Sequence, residues 1–126
     1  MRKLPIVLGL ITLFPVCGCA ATHANVAAKH SEVGLASYYS SRHQGRPTAS
    51  GQRYDEHALT AAHPTLPFGT RVRVTNLAND RSVVLTINDR GPFSRGRIID
   101  VSKRAARELG FVAEGKAYVR IDRLDR

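Results

Sequence analysis

The run Ser82-Val83-Val84-Leu85-Thr86-Ile87-Asn88-Asp89-Arg90-Gly91-Pro92 decides how this chain folds. Val83 to Ile87 is built of β-branched and apolar residues, which specify a strand, and Gly91-Pro92 stops it. Asp89 therefore stands at a strand-to-loop junction with Arg90 beside it. Such junctions present catalytic side chains on a rigid element. An aspartate there also serves as an ordinary turn residue, bonded to its own backbone and helped by the arginine. Both uses stand on this stretch alone.

Working outward, residues 70–76 alternate polar and apolar, the period of a half-buried strand. Ala78-Asn79-Asp80 then turns the chain, so residues 70–76 and 83–87 form a hairpin. Residues 97–101 read as a short strand. Ser102 caps a helix over 103–109, which Gly110 ends and whose small apolar face is Ala105, Ala106 and Leu109. Residues 116–124 alternate again as a last strand, and residues 33–39 read as the first. Gly45, Pro47 and Gly51 make residues 40–53 a loop, and Asp55 is a candidate cap for a helical turn within 54–62. Short strands, close turns and one helix point to a mainly β protein, for which a small closed barrel is the natural architecture.

A chain of 126 residues holds one small domain, and its first nineteen residues stand apart from it. Arg2 and Lys3 precede an apolar stretch over 4–16 that is too short and too interrupted to span a membrane, so residues 1–19 read as a secretory signal. Val16-Cys17-Gly18-Cys19 looks like a bacterial lipobox with Cys19 as the lipidated residue; plain signal cleavage near Ala21 is the other reading. Residues 20–32 read as a flexible tether, and residues 33–126 as the folded domain. Cys17 and Cys19 are the only cysteines, so an exported domain beyond them is held by its core without an internal disulfide. The net charge is +9, which suits an anionic partner such as a cell-wall polymer or a membrane surface. Export and the lack of any nucleic-acid motif exclude nucleic acid. The five histidines are scattered and the domain lacks a usable thiol, so neither a metal set nor a cofactor is expected.

Seven motifs run in series through the domain. They are Gly34, Ala36, Ser37, Tyr38 and Tyr39; Thr48-Ala49-Ser50-Gly51; Leu59-Thr60-Ala61-Ala62-His63; Leu66-Pro67-Phe68-Gly69-Thr70; Val72, Val74, Thr75 and Asn76; Ile87 through Phe93; and Arg97 through Ser102, followed by Ala105, Ala106, Leu109 and Gly110. In this order and spacing they resemble the rare lipoprotein A (RlpA) family of bacterial lytic transglycosylases, over residues 34–124. The resemblance implies a six-stranded double-psi β-barrel with one or two short helices, related to expansins. It implies cleavage of peptidoglycan between N-acetylmuramic acid and N-acetylglucosamine to give 1,6-anhydro-muramoyl ends, with a preference for strands stripped of stem peptides. It further implies a monomer anchored by lipid in the outer membrane and facing the periplasm.

The chemistry needs an acid for the glycosidic oxygen as an oxocarbenium-like centre develops, and then a base for the muramic C6 hydroxyl. One carboxyl group can do both. Asp89 matches the aspartate that looks catalytic in the family, and His63 matches a family active-site histidine that would orient the acid or the sugar. Thr48, Ser50, Gly51, Gln52, Tyr39 and Arg90 are the expected glycan-binding residues, with Tyr39 stacking on a sugar. Asp100 is expected to pair with an arginine, and Phe68 and Phe93 to pack in the core or at the rim. One departure stands out. The family commonly places Glu after Thr-Ala-Ser-Gly, whereas this chain has Gln52, and an amide cannot exchange a catalytic proton. Two readings follow: an active lytic transglycosylase acting through Asp89, or a non-catalytic, expansin-like module that binds or loosens the wall.

Overall fold

The computed structural model describes residues 30–124, together with the isolated positions Lys3 and Gly9. The signal, the Cys19 lipidation site and most of the tether lie outside the described residues. Six strands close a barrel: β1 (Ser31–Tyr38), β2 (Thr60–Ala62), β3 (Arg71–Asn76), β4 (Ser82–Asp89), β5 (Arg97–Val101) and β6 (Ala117–Leu124), joined around the circle as β1-β5-β2-β4-β3-β6. The pairs β1/β5 and β2/β4 are parallel, and the other four are antiparallel. Alternation along the strands sends Val72, Val74, Leu85, Ile87, Ile99, Val101, Val119 and Ile121 inward, each wholly buried. Leu66, Leu109 and Phe111 extend this core toward the helix. The expected closed, mainly β fold and the 3–4 hairpin are what the chain adopts.

Two pairings slip by one residue. Ala61 faces Ile87 but Ala62 faces Asp89, so Asn88 has no counterpart on β2. Likewise Leu35 faces Arg97 and Ala36 faces Ile99. Such bulges bend a strand and re-aim its side chains, and the first lies directly at the candidate acid.

The helix α1 (Lys103–Leu109) starts and stops where its capping residues dictate. The Ser102 hydroxyl accepts from Ala105 N and donates to the Ala58 carbonyl at 2.5 Å. At the other end Gly110 adopts φ 77°, and Asn76 Nδ2 and Asn79 Nδ2 each donate to the Leu109 carbonyl at 2.9 Å. A Cβ on Gly110 would lie 2.7 Å from Arg81 Nη1 and 3.0 Å from Asn79 Nδ2. Gly110→Ala is therefore expected to lower unfolding free energy by about 1–3 kcal/mol, read as a fall in the urea midpoint at constant slope. An unchanged midpoint would show that the left-handed cap is dispensable.

One expectation is met only as a single turn, and another needs correction. Within 54–62 Ala58 N donates to the Asp55 carbonyl at 3.1 Å, a lone hydrogen-bonded turn that does not grow into a helix. Asp55 Oδ1 accepts from His57 N at 2.9 Å, closing an Asx turn, and the chain then enters β2. An aspartate that caps a helix and one that closes a turn offer the backbone the same acceptor, so the local signal does not separate them. In addition, β1 begins at Ser31, which makes Glu32, expected in the tether, part of the barrel.

Candidate active site

Asp89 ends β4 with both carboxylate oxygens engaged. Oδ1 accepts from Ala49 N at 2.8 Å and Arg90 N at 2.9 Å, and Oδ2 accepts from the Tyr39 hydroxyl at 2.5 Å. Burial, then the hydrogen bond to Asp89 and its charge, push the Tyr39 phenol far above the ordinary tyrosine range. Tyr39 thus stays protonated and acts as a fixed donor. Its ring stacks on Tyr54, with centroids 4.4 Å apart and planes at 13°, and meets His43 edge-on at 5.4 Å. Tyr54 covers one face, His43 meets the ring as well, and the hydroxyl is committed to Asp89, so the contacts of Tyr39 serve to hold Asp89 rather than to carry a sugar. The neighbouring Tyr38 goes to the core side, packed edge-on against Phe111 with its hydroxyl on the Val112 carbonyl. The two tyrosines divide between faces as strand alternation requires.

The segment holding Thr48, Ser50, Gly51 and Gln52 is a tight loop docked on the end of β4. Thr48 N and Oγ1 both donate to the Gln52 carbonyl, at 2.7 and 2.6 Å, Gly51 N returns to the Thr48 carbonyl, and Ser50 N reaches the Asn88 carbonyl. Gly51 holds φ 91°, which a side-chain-bearing residue rarely adopts. The loop delivers Ala49 N to Asp89 and lays Gln52 beside Asn88, whose Nδ2 donates to Gln52 Oε1 at 3.2 Å. Gln52 is thus one residue away from the acid across a side-chain hydrogen bond.

His63 is buried and touches Asp89 only through its backbone, His63 N donating to the Asp89 carbonyl at 3.2 Å. Its ring faces elsewhere. Nδ1 accepts from Thr65 N at 3.1 Å and Leu66 N at 3.0 Å, so the ring proton sits on Nε2 and is donated to Glu32 Oε1 at 2.5 Å. The expectation that the imidazole assists the acid directly gives way to a histidine that ties the 63–66 turn to β1. Arg90 braces the same turn, with Nη1 donating to the His63 carbonyl at 3.1 Å and the Leu66 carbonyl at 2.7 Å, while its guanidinium lies 4.2 Å over the Phe68 ring.

No local pattern marks Glu32, because its partner is thirty-one residues away. The only local hint is its parity with Gly34 and Ala36 on β1. The histidines are also less scattered than their spacing suggests, since ligand atoms of His30, Glu32 and His63 lie within 4.8 Å of one another. A metal there would need a lone pair on His63 Nε2, which requires the proton to move to Nδ1, against two backbone N–H groups. A neutral imidazole held this way makes a poor ligand.

Asp100 pairs with Arg97 as expected: Nη2 reaches its two oxygens at 2.6 and 2.8 Å, and the Ser37 hydroxyl donates to it as well. Ala62 faces Asp89 on one side and Asp100 on the other, so the two carboxylate-bearing strands stand about 10 Å apart with a small residue between them. Phe68 sits at the rim, 43% exposed, whereas Phe93 is 81% exposed and packs in neither core nor rim.

A closed six-stranded barrel with two slipped parallel pairs defines a double-psi β-barrel, here with a carboxylate locked at a strand end. Solved structures agree on the fold. The Streptomyces papain inhibitor superposes with a TM-score of 0.62 at 22% identity, over 78% of this chain and 97% of that one. The apo expansin of Clavibacter michiganensis superposes with 0.59 at 20% identity, over 76% and 51%. Residues 31–121 match the lytic transglycolase family model, and the chain belongs to that family. It is 50% identical over 111 residues to the endolytic peptidoglycan transglycosylase RlpA of Neisseria meningitidis serogroup A, covering 88% of this chain and 46% of the relative. It is 60% identical over 95 residues to a probable endolytic peptidoglycan transglycosylase RlpA of Nostoc sp., covering 74% and 26%. The chain thus spans less than half the length of these relatives.

Proposed function

We propose that this barrel cleaves peptidoglycan glycan strands as a lytic transglycosylase, preferring strands without stem peptides. The observation that carries the proposal is Asp89, held by three donors at a strand end within a chain of this family. Because Oδ1 is filled by two backbone N–H groups, the working proton belongs on Oδ2. Asp89 gives that proton to the O4 of N-acetylglucosamine as the C1–O4 bond breaks. It then takes the C6 hydroxyl proton of the muramic residue as O6 bonds to C1. The carboxyl group ends as it began, and no water enters the product. Thr48, Ser50, Gly51 and Gln52 line the strand's path, and Arg90 and His63 keep its wall in place. Within this proposal Cys19 carries the lipid, and the protein acts as a monomer at the outer membrane, facing the periplasm.

A second reading, a glycan-binding or wall-loosening module that does not cut, is favoured by one observation. Gln52 occupies the place of a family carboxylate and cannot exchange a proton. Gln52→Glu keeps the acceptor for Asn88 Nδ2 and restores the acid beside Asp89. Peptide-free glycan strands are incubated with each protein and 1,6-anhydro-muramoyl ends are counted by mass spectrometry. Wild type is expected to release them, and Gln52→Glu to release them about 10²-fold faster. Products from Gln52→Glu alone would establish the binding module instead, and products from neither would sink the enzyme reading.

A further inference from the structure

A cleft walled by Phe68, Thr70, Arg71 and Arg123 opens where β3 begins and β6 ends. Its position is tied to the acid. Gly69 N donates to the Ile87 carbonyl at 2.8 Å and Arg71 faces Thr86, so Asp89 lies three residues further along β4, about 10 Å away. That is a reach of one or two sugar rings. Five arginines of the barrel are tied to partners: Arg97, Arg104 and Arg120 are paired with Asp100, Glu108 and Asp122, and Arg90 and Arg53 hold carbonyls. Arg71 and Arg123, like Arg42, Arg46, Arg73, Arg81, Arg95 and Arg107, show no such partner among the described residues; what sets these two apart is that they share a cleft. Phe68 adds a partly exposed aromatic ring whose charge environment is already fixed by Arg90.

An aromatic ring with only one face taken, by Arg90, beside two guanidiniums that have no partner among the described residues fits an acidic sugar: the exposed part of the ring meets the apolar side of a pyranose, and the guanidinium forks take a carboxylate. On a peptidoglycan strand only the muramic residue bears an acid, on its lactyl group. That acid is an uncharged amide while a stem peptide is attached and becomes a free carboxylate once the peptide is removed.

We propose that the Phe68–Arg71–Arg123 cleft is a subsite for the free lactyl carboxylate of a muramic residue near the bond to be cut. The inference rests on the glycan-cleaving proposal for its choice of strand, and it supplies a physical cause for a preference for stripped strands.

Binding is the test, so catalysis is not needed to read it. The purified chain is titrated onto three insoluble glycans: peptide-free strands, the same strands with lactyl carboxylates converted to primary amides, and peptide-bearing strands. Wild type and Asp89→Asn are both expected to prefer peptide-free over amidated strands by about tenfold or more, with the preference shrinking in salt. Arg71→Gln/Arg123→Gln is expected to lose that preference while binding amidated strands as wild type does. Equal binding of free and amidated strands by wild type overturns the subsite, as does an intact preference in the double variant. Tighter competition by a phosphodiester wall polymer than by peptide-free strands overturns the carboxylate assignment. A preference without any cleavage leaves the subsite standing and removes the enzyme reading instead.

Discussion

Asp89→Asn is expected to lower the release of 1,6-anhydro-muramoyl ends by about 10²–10⁴-fold while leaving the melting temperature nearly unchanged. The two halves of that expectation come from different atoms. Asparagine keeps an oxygen where Oδ1 accepts from Ala49 N and Arg90 N, so the loop and the strand end stay joined. Its amide nitrogen replaces Oδ2, and the Tyr39 hydroxyl, which can accept as well as donate, turns to meet it. What is lost is the one group able to give and take a proton. Product counts by mass spectrometry, with a thermal melt on the same preparation, check both halves. An Asp89→Asn protein that still releases anhydro ends would reduce Asp89 to a turn residue that fastens the Ala49 loop.

The second large effect falls on stability. His63→Ala is expected to lower unfolding free energy by about 3–5 kcal/mol, because it strands several partners at once. Thr65 N and Leu66 N lose their shared acceptor, Glu32 loses its donor, and the imidazole leaves a hole in a buried position. For a domain of this size the melting temperature should fall by about 12 °C or more. Activity should fall with it, since Arg90 braces the same 63–66 turn that His63 closes. Glu32→Gln, which keeps an acceptor for Nε2–H, should be much milder. If His63→Ala instead melted near wild type yet failed to cut glycan, the ring would have a direct part in the chemistry that its present contacts do not give it.

The elements legible in the sequence are those whose signals are local. The alternation over 70–76 and the β-branched run 83–87 needed only a turn between them to become β3 and β4, and Ser102 and Gly110 bracketed α1 to the residue. Strand β2 escaped because three residues are too few to show a period, and because Asp55 just before it offers the same acceptor to a helix cap as to an Asx turn. The site divides the same way. Asp89 stood out through the end of its own strand, and the Gln52 loop through its glycine. Glu32 and the Arg71–Arg123 cleft arise from contacts between distant strands, which no local pattern reports. The setting of Tyr39 is hidden for a related reason: its ring neighbour Tyr54 comes from a loop whose path depends on the closed barrel.

The slip at Asn88 makes the chemistry of this barrel a matter of phase. Asn88 is the extra residue of the bulge, so Asn88 and Asp89 both reach the 48–52 loop, and the offset in pairing decides which of them stands opposite Ala62. If the offset closed, the amide would move into that place and the acid would swing away, with every side chain unaltered. A one-residue change of pairing at Asn88 would then separate a barrel that cuts a glycan from one that merely grips it, while the apolar interior kept its packing.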